Sequence, residues 1–187
     1  MSVAVASTKH ARSENFPVAS LFLQPALREP VVRFYRFVRA ADDIADAPDL
    51  PAAERLRRLD ALETALLTAD PVEPAAQALA WVSRLHGAGL AEARHLLAAF
   101  RQDVVKRRYA DWEELLAYCR RSADPVGRFL LRLHGEGQAA RAPSDALCTA
   151  LQLLNHLQDL LPDWRRLDRV YLPVPWLNRV GGERRFF

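Results

Sequence analysis

Lysine is almost missing from this chain. Only Lys9 and Lys106 are lysines, against 24 arginines in 187 residues. Two readings stand for that bias: base composition of the coding sequence, or a use for guanidinium forks, which suit phosphate groups. Acidic residues are interspersed throughout and the net charge is only +3, so no basic stripe argues for nucleic acid. Cysteine is scarce too. Cys119 and Cys148 lack metal-ligand spacing and build no disulfide framework; they read as reduced thiols on helices of a cytosolic protein. Met1 to Arg12 has no adequate apolar core for a signal peptide. No run approaches 18 apolar residues, so no membrane-spanning helix is expected. Glycine numbers 7, and no alternating strand pattern survives inspection.

What is present is helical. Half of the residues are hydrophobic, enough for one domain with a real core. The 12 prolines fall between long Ala/Leu/Arg-rich stretches. After a loose polar leader over 1–15, residues 16–187 read as a single domain with helices at 17–24, 30–47, 51–69, 73–86, 90–108, 111–134 and 144–168. Asp111 with Glu114 three residues on resembles a capping box, and Ser144 and Asp145 suit a helix start. Pro30, Pro51, Pro74 and Pro143 stand at the expected boundaries. The fold class is all-α, a bundle of antiparallel helices.

Two acidic series interrupt this pattern. An apolar stripe through Val31, Phe34/Tyr35 and Val38 continues at helical spacing to Asp42 and then Asp46, with Asp43 beside them. These carboxylates sit near the helix C-terminus, where the dipole disfavours anions, and like charges at i,i+4 cost a further ~0.2–0.5 kcal/mol. A second series runs Leu147, Leu151, Asn155, Asp159, Asp163, again apolar first and acidic last. Arg39 lies three and four residues before Asp42 and Asp43, so the first cluster also reads as an ordinary ion-pair network. Asn155 alone also reads as a satisfied polar core residue. Taken together, two such helices facing one another make a cavity with acidic walls at one end and apolar walls at the other. Neither stripe carries Cys or His, so a hard cation such as Mg²⁺ is favoured over zinc or copper. Neither carries the Glu-x-x-His pair of a di-iron bundle. Mg²⁺ is commonly shared with phosphates, which implies a phosphate- or diphosphate-bearing substrate.

These motifs, in this order on helices, resemble the head-to-head isoprenoid synthases, the family of squalene, phytoene and dehydrosqualene synthases. The resembling stretches are Glu14 to Ser20, Ala40 to Asp46, Phe100 to Asp103, Tyr118 to Ser122 with Pro125 to Arg128, and Asn155 to Asp159 running on to Leu167–Pro173. The Tyr118-Cys119-Arg120-Arg121-Ser122 and Leu167-Asp168-Arg169-Val170-Tyr171 segments point to the bacterial hydroxysqualene branch of hopanoid biosynthesis. The resemblance implies a terpenoid-synthase helical bundle. Asp42, Asp43 and Asp46 would hold Mg²⁺ on the substrate diphosphate, and Asp159 and Asp163 would do so from the opposite wall. Asn155 would assist them, Arg39 would contact diphosphate oxygens, and Phe16 would line the hydrocarbon cavity. The implied substrate is presqualene diphosphate, converted with water to hydroxysqualene and diphosphate without NADPH. Other branches carry Tyr where this chain has Arg121, so the role of that tyrosine does not transfer. The apolar product argues for transient contact of a cytoplasmic enzyme with a membrane surface.

Two features depart from the family. Pro162 falls inside the second motif, where a helix-interior proline costs about 3 kcal/mol and kinks the axis. The chain also stops at Phe187, where family members continue, so an incomplete bundle with one side of the cavity open is expected. Two competing readings remain: a squalene or phytoene synthase condensing two prenyl diphosphates, and a non-catalytic helical module that binds lipid or a partner.

Overall fold

The computed structural model describes residues 23–187. Phe16, the leader over 1–15 and nearly all of the expected helix 17–24 lie outside them; Leu23 and Gln24 are not helical. Among the described residues the architecture is all-α. The helices are α1 (Pro25–Ala45), α2 (Ala52–Thr68), α3 (Pro74–His86), α4 (Leu90–Val105), α5 (Trp112–Ser122), α6 (Asp124–Leu133), α7 (Arg141–Gln158), α8 (Leu160–Leu167), α9 (Val174–Arg179) and α10 (Glu183–Phe186).

Local chemistry sets most boundaries. Pro25 at the first turn opens α1, where its missing N–H would have no partner anyway. α1 therefore starts five residues before the expected Pro30, which lies buried inside it. Gly87, at φ 65°, takes the left-handed conformation that closes α3, and the Glu92 side chain accepts from the Gly89 N–H to start α4. Asp111 accepts from the Glu114 N–H at 2.8 Å, while Glu114 reaches back to the Ala110 N–H rather than to Asp111 itself.

Two expected helices are each two helices. The stretch 111–134 breaks at Ala123, just before Pro125, giving α5 and α6. The stretch 144–168 begins earlier, at Arg141, and breaks at Asp159, giving α7 and α8. Ser144 and Asp145 are thus inside α7, and Asp145 pairs with Arg128 of α6 at 2.7 Å instead of capping. Pro162 falls in the first turn of α8, where its missing N–H leaves no interior gap.

The main core joins α1, α2, α3, α4 and α6 around Phe34, Phe37, Leu59, Leu79, Leu97 and Phe129. Phe34 stacks on Phe129 with ring centroids 4.0 Å apart. A second core cluster, of Ala99, Tyr109, Leu115, Tyr118, Cys119 and Tyr171, joins α4 and α5 to the segment after α8. That segment is pinned by backbone bonds from Val170 N to Arg107 O and from Val174 N to Tyr109 O, both 2.9 Å. α6 packs closely on α7 because Gly127 has no side chain: a Cβ there would stand 2.4 Å from Ser144 Oγ and 2.6 Å from Cys148 Sγ.

Candidate active site

On α1 the buried stripe is Leu27, Pro30, Phe34, Phe37, Ala41 and Ala45, one register step from the expected one. Val31 and Val38 flank it, half-buried. Asp42 and Asp46 therefore stand at the edge of the core, each following a buried alanine. Arg39 donates to Asp42 at 2.5 Å and to Asp43 at 3.1 Å. Burial first, then the negative charge of Asp46, outweigh Arg39 and push the Asp42 carboxyl up to about 7. The Arg55 guanidinium donates to the Ala45 carbonyl at 2.7 Å, placing positive charge at the negative end of α1.

Asp46 is held by Arg169 at 3.1 Å. Arg169 is buried, and it also donates to the Asp103 carbonyl at 3.0 Å and to Tyr171 Oη at 3.3 Å. Burial opposes its charge, but Tyr171, Asp103 and Asp46 keep it firmly protonated. The buried Asp103 side chain accepts from Tyr118 at 2.6 Å and from Tyr171 at 3.0 Å. Burial raises the Asp103 carboxyl to about 6 despite Arg169 and both phenols. The Tyr171 ring stacks on His156 of α7, with centroids 3.7 Å apart. Burial first, then Arg169, press the His156 imidazole down to about 3, so it is neutral and bonds Gln152 at 2.9 Å.

A continuous relay thus connects the α1 carboxylates to α7, through Asp46, Arg169, Tyr171 and His156. Asp103, Tyr118, Arg169, Tyr171 and His156 fall in the segments that carry the family resemblance, but the sequence alone gives them no role. Periodicity marks two of them: Asp103 continues the buried α4 series Leu96, Ala99 at helical spacing, and Tyr118 follows Leu115 on α5. Arg169 and Tyr171 lie outside any helix, where no periodicity marks burial.

The second acidic series is differently placed. Asn155 is half-buried beside His156, Asp159 is exposed at the α7–α8 junction, and Asp163 sits half-buried in the first turn of α8. The Asp163 carbonyl accepts from the Arg169 N–H at 3.2 Å, which ties the second series to the residue that grips Asp46. Leu147, Leu151, Leu154 and Leu157 around the same stripe are each more than half exposed. Arg121 donates to Gln102 at 2.6 Å.

Among the described residues no three Asp, Glu, His or Cys side chains converge as an all-protein metal cage. The donors that Asp42, Asp43 and Asp46 offer are carboxylate oxygens, the ligand type that hard cations take. Burial, and after it the neighbouring Asp46 carboxylate, raise Asp42 against the pull of Arg39, so further positive charge here would be favourable.

Residues 9–185 match the family model described as squalene/phytoene synthase. The chain is 48% identical over 177 residues to a hydroxysqualene synthase of Rhodopseudomonas palustris, covering 95% of this chain and 61% of that protein. It is 47% identical over 170 residues to a hydroxysqualene synthase of Sinorhizobium fredii, covering 91% of this chain and 58% of that protein. Its fold is similar to the crystal structure of squalene synthase HpnC from Alicyclobacillus acidocaldarius. The TM-score is 0.79 at 37% identity, over 93% of this chain and 66% of that one. The chain spans about three-fifths of the length of the curated relatives it matches.

Proposed function

The chain belongs to the squalene/phytoene synthase family, and we propose that it carries the diphosphate-handling part of a hydroxysqualene synthase acting on presqualene diphosphate. The observation that carries this reading is the α1 cluster. Three carboxylates stand within one turn, gripped by Arg39 and Arg169, with Asp42 pushed up to about 7 by burial and by Asp46. Asp42, Asp43 and Asp46 would hold Mg²⁺ from this side, and Asp159 and Asp163 from α8 and its junction. When bound, the metal neutralises the diphosphate and makes it a competent leaving group. Arg39 turns from the carboxylates to diphosphate oxygens, and Asn155 adds an amide donor. Arg169 holds Asp46 in place, and Asp103 with Tyr118 and Tyr171 holds Arg169.

The carbon–oxygen bond of presqualene diphosphate breaks with its electron pair leaving on diphosphate. The cyclopropylcarbinyl cation rearranges, takes up one water and loses a proton to give hydroxysqualene. No reductant enters that balance. The leucine face of α7 supplies apolar wall against the hydrocarbon and keeps other water from the cation.

Two measurements test the reading. Calorimetry with diphosphate is expected to show binding that requires Mg²⁺ and is lost in Asp42→Ala. Incubation with presqualene diphosphate and Mg²⁺, without NADPH, is expected to yield a hydroxylated C30 alcohol by mass spectrometry. A C40 hydrocarbon from geranylgeranyl diphosphate would instead assign a phytoene synthase. Diphosphate binding that ignores Mg²⁺ and Asp42 would remove the metal clamp altogether.

A further inference from the structure

Away from the acidic cluster, α1 and α3 pack side by side and leave an open groove of about 830 Å³ on the outer surface. Arg28, Arg33 and Arg36 of α1 and Arg84 of α3 line it, against a single carboxylate, Glu29. Arg33 is paired with Glu29 and lies 4.5 Å over the ring of Trp81. Arg36 and Arg84 have no ion-pair partner among the described residues. Trp81 is 47% exposed, and Leu85, one turn on, is 61% exposed. Like charges lining one groove repel, which an anionic ligand would relieve.

We propose that this groove is a docking surface for an anionic lipid bilayer. The chemistry of the lining selects that occupant. Guanidinium groups bind phosphate oxygens as forks, and each basic residue near an anionic surface strengthens attachment. Tryptophan is the side chain that settles at the headgroup level, and a neighbouring leucine inserts just below it. A free phosphate would use the arginines and leave Trp81 and Leu85 without a role. A single-stranded nucleic acid would use the arginines and Trp81 but not Leu85. A bilayer engages all three. The inference stands apart from the catalytic reading, since neither Trp81 nor the arginines belong to the acidic site.

The test is co-sedimentation of the whole chain with vesicles, read together with tryptophan fluorescence. Vesicles of phosphatidylcholine with about one-third phosphatidylglycerol are expected to pellet the protein and shift its emission to the blue. Trp81→Phe is expected to remove most of that shift. Pure phosphatidylcholine and high salt are expected to abolish binding, because exposed charges are screened. Each arginine should contribute about fivefold in partitioning, so Arg36→Glu with Arg84→Glu should weaken it by about 25-fold or more. Arg36→Lys with Arg84→Lys keeps the charge and should retain most binding, and Mg²⁺-dependent diphosphate binding should be unchanged in both. Equal binding to neutral vesicles, or full binding by the glutamate variant, overturns the proposal. So does a Trp81→Phe-sensitive emission change produced as strongly by inorganic diphosphate or a short oligonucleotide without vesicles.

Discussion

His156 shows how much the surroundings of one side chain decide. It is stacked on Tyr171, closed off from solvent and close to the Arg169 charge, which together press its imidazole down to about 3. In the unfolded chain it titrates near 6.5. Between these values the unfolded state binds a proton that the folded state refuses, so the His156 contribution to stability is present above about 6.5 and lost as pH falls toward 3. The slope from this group approaches about 1.4 kcal/mol per pH unit at most. Asp103, raised to about 6, has the opposite sign: its contribution is fullest at low pH and is lost as pH rises through 6. The two are separated by substitution. His156→Phe keeps an aromatic ring against Tyr171 and removes the titration. Urea unfolding from pH 7 to pH 4 should show the advantage of the natural chain over His156→Phe shrinking steadily on acidification. Parallel curves would mean that His156 titrates normally. Nothing in the local sequence around Leu154–Leu157 marked this residue, because its burial depends on Tyr171, a segment away. Asp42 and Asp46 stand out in the sequence because they continue the series through Val31 and Val38, but the buried stripe of α1 runs one register step away, through Ala41 and Ala45, so the two carboxylates sit at its edge.

At the scale of the element, the break between α7 and α8 carries the most information. A proline at the fourth residue of a continuing motif reads, from sequence alone, as a helix interior under strain. In the structure α7 ends at Gln158, Asp159 serves both helices, and Pro162 stands in a first turn, where proline is tolerated. The Asp163 N–H still bonds the Asp159 carbonyl at 2.8 Å. Pro162→Ala should therefore change unfolding free energy by no more than ~0.5 kcal/mol in thermal or urea unfolding. A gain near ~3 kcal/mol would mean that the proline does strain a helix interior. From α1 to α8 helical structure was legible, because 3.6-residue periodicity is strong in an Ala/Leu-rich chain; the short α9 and α10, for which no helix was expected, give too few turns for a period to show. α2 and α3 fall within a residue of their expected spans. The divisions at Ala123 and Asp159 were not legible, since the apolar pattern runs across both. Helix breaks depend on where the next element packs, and Gly127 against Ser144 and Cys148 shows how closely α6 and α7 approach once the chain turns at Ala123.

At the scale of the whole molecule, the open question is what the leucine face of α7 is for. Isolated exposed apolar residues are ordinary, but Leu147, Leu151, Leu154 and Leu157 lie together on one helix, each over half exposed. They surround the stripe that ends in Asn155, Asp159 and Asp163, so hydrocarbon and diphosphate ends of one substrate would meet along a single helix. The relatives are longer than this chain by roughly two-fifths of their length, and the proposed cavity needs an opposite wall. On the proposed function the face serves substrate rather than folding, and the two roles are separable. Leu151→Lys with Leu154→Lys removes two side chains that already stand in solvent. It should leave unfolding free energy within ~0.5 kcal/mol of the natural chain, because surface changes away from packed contacts rarely cost more. The same pair should sharply reduce fluorescence of an added apolar dye and lower turnover of presqualene diphosphate. Mg²⁺-dependent binding of inorganic diphosphate, which has no hydrocarbon, should persist. A double variant that unfolds would place these leucines in a packed interface. One that loses diphosphate binding as well would mean that the α7 stripe works on the charged end of the substrate rather than along its hydrocarbon.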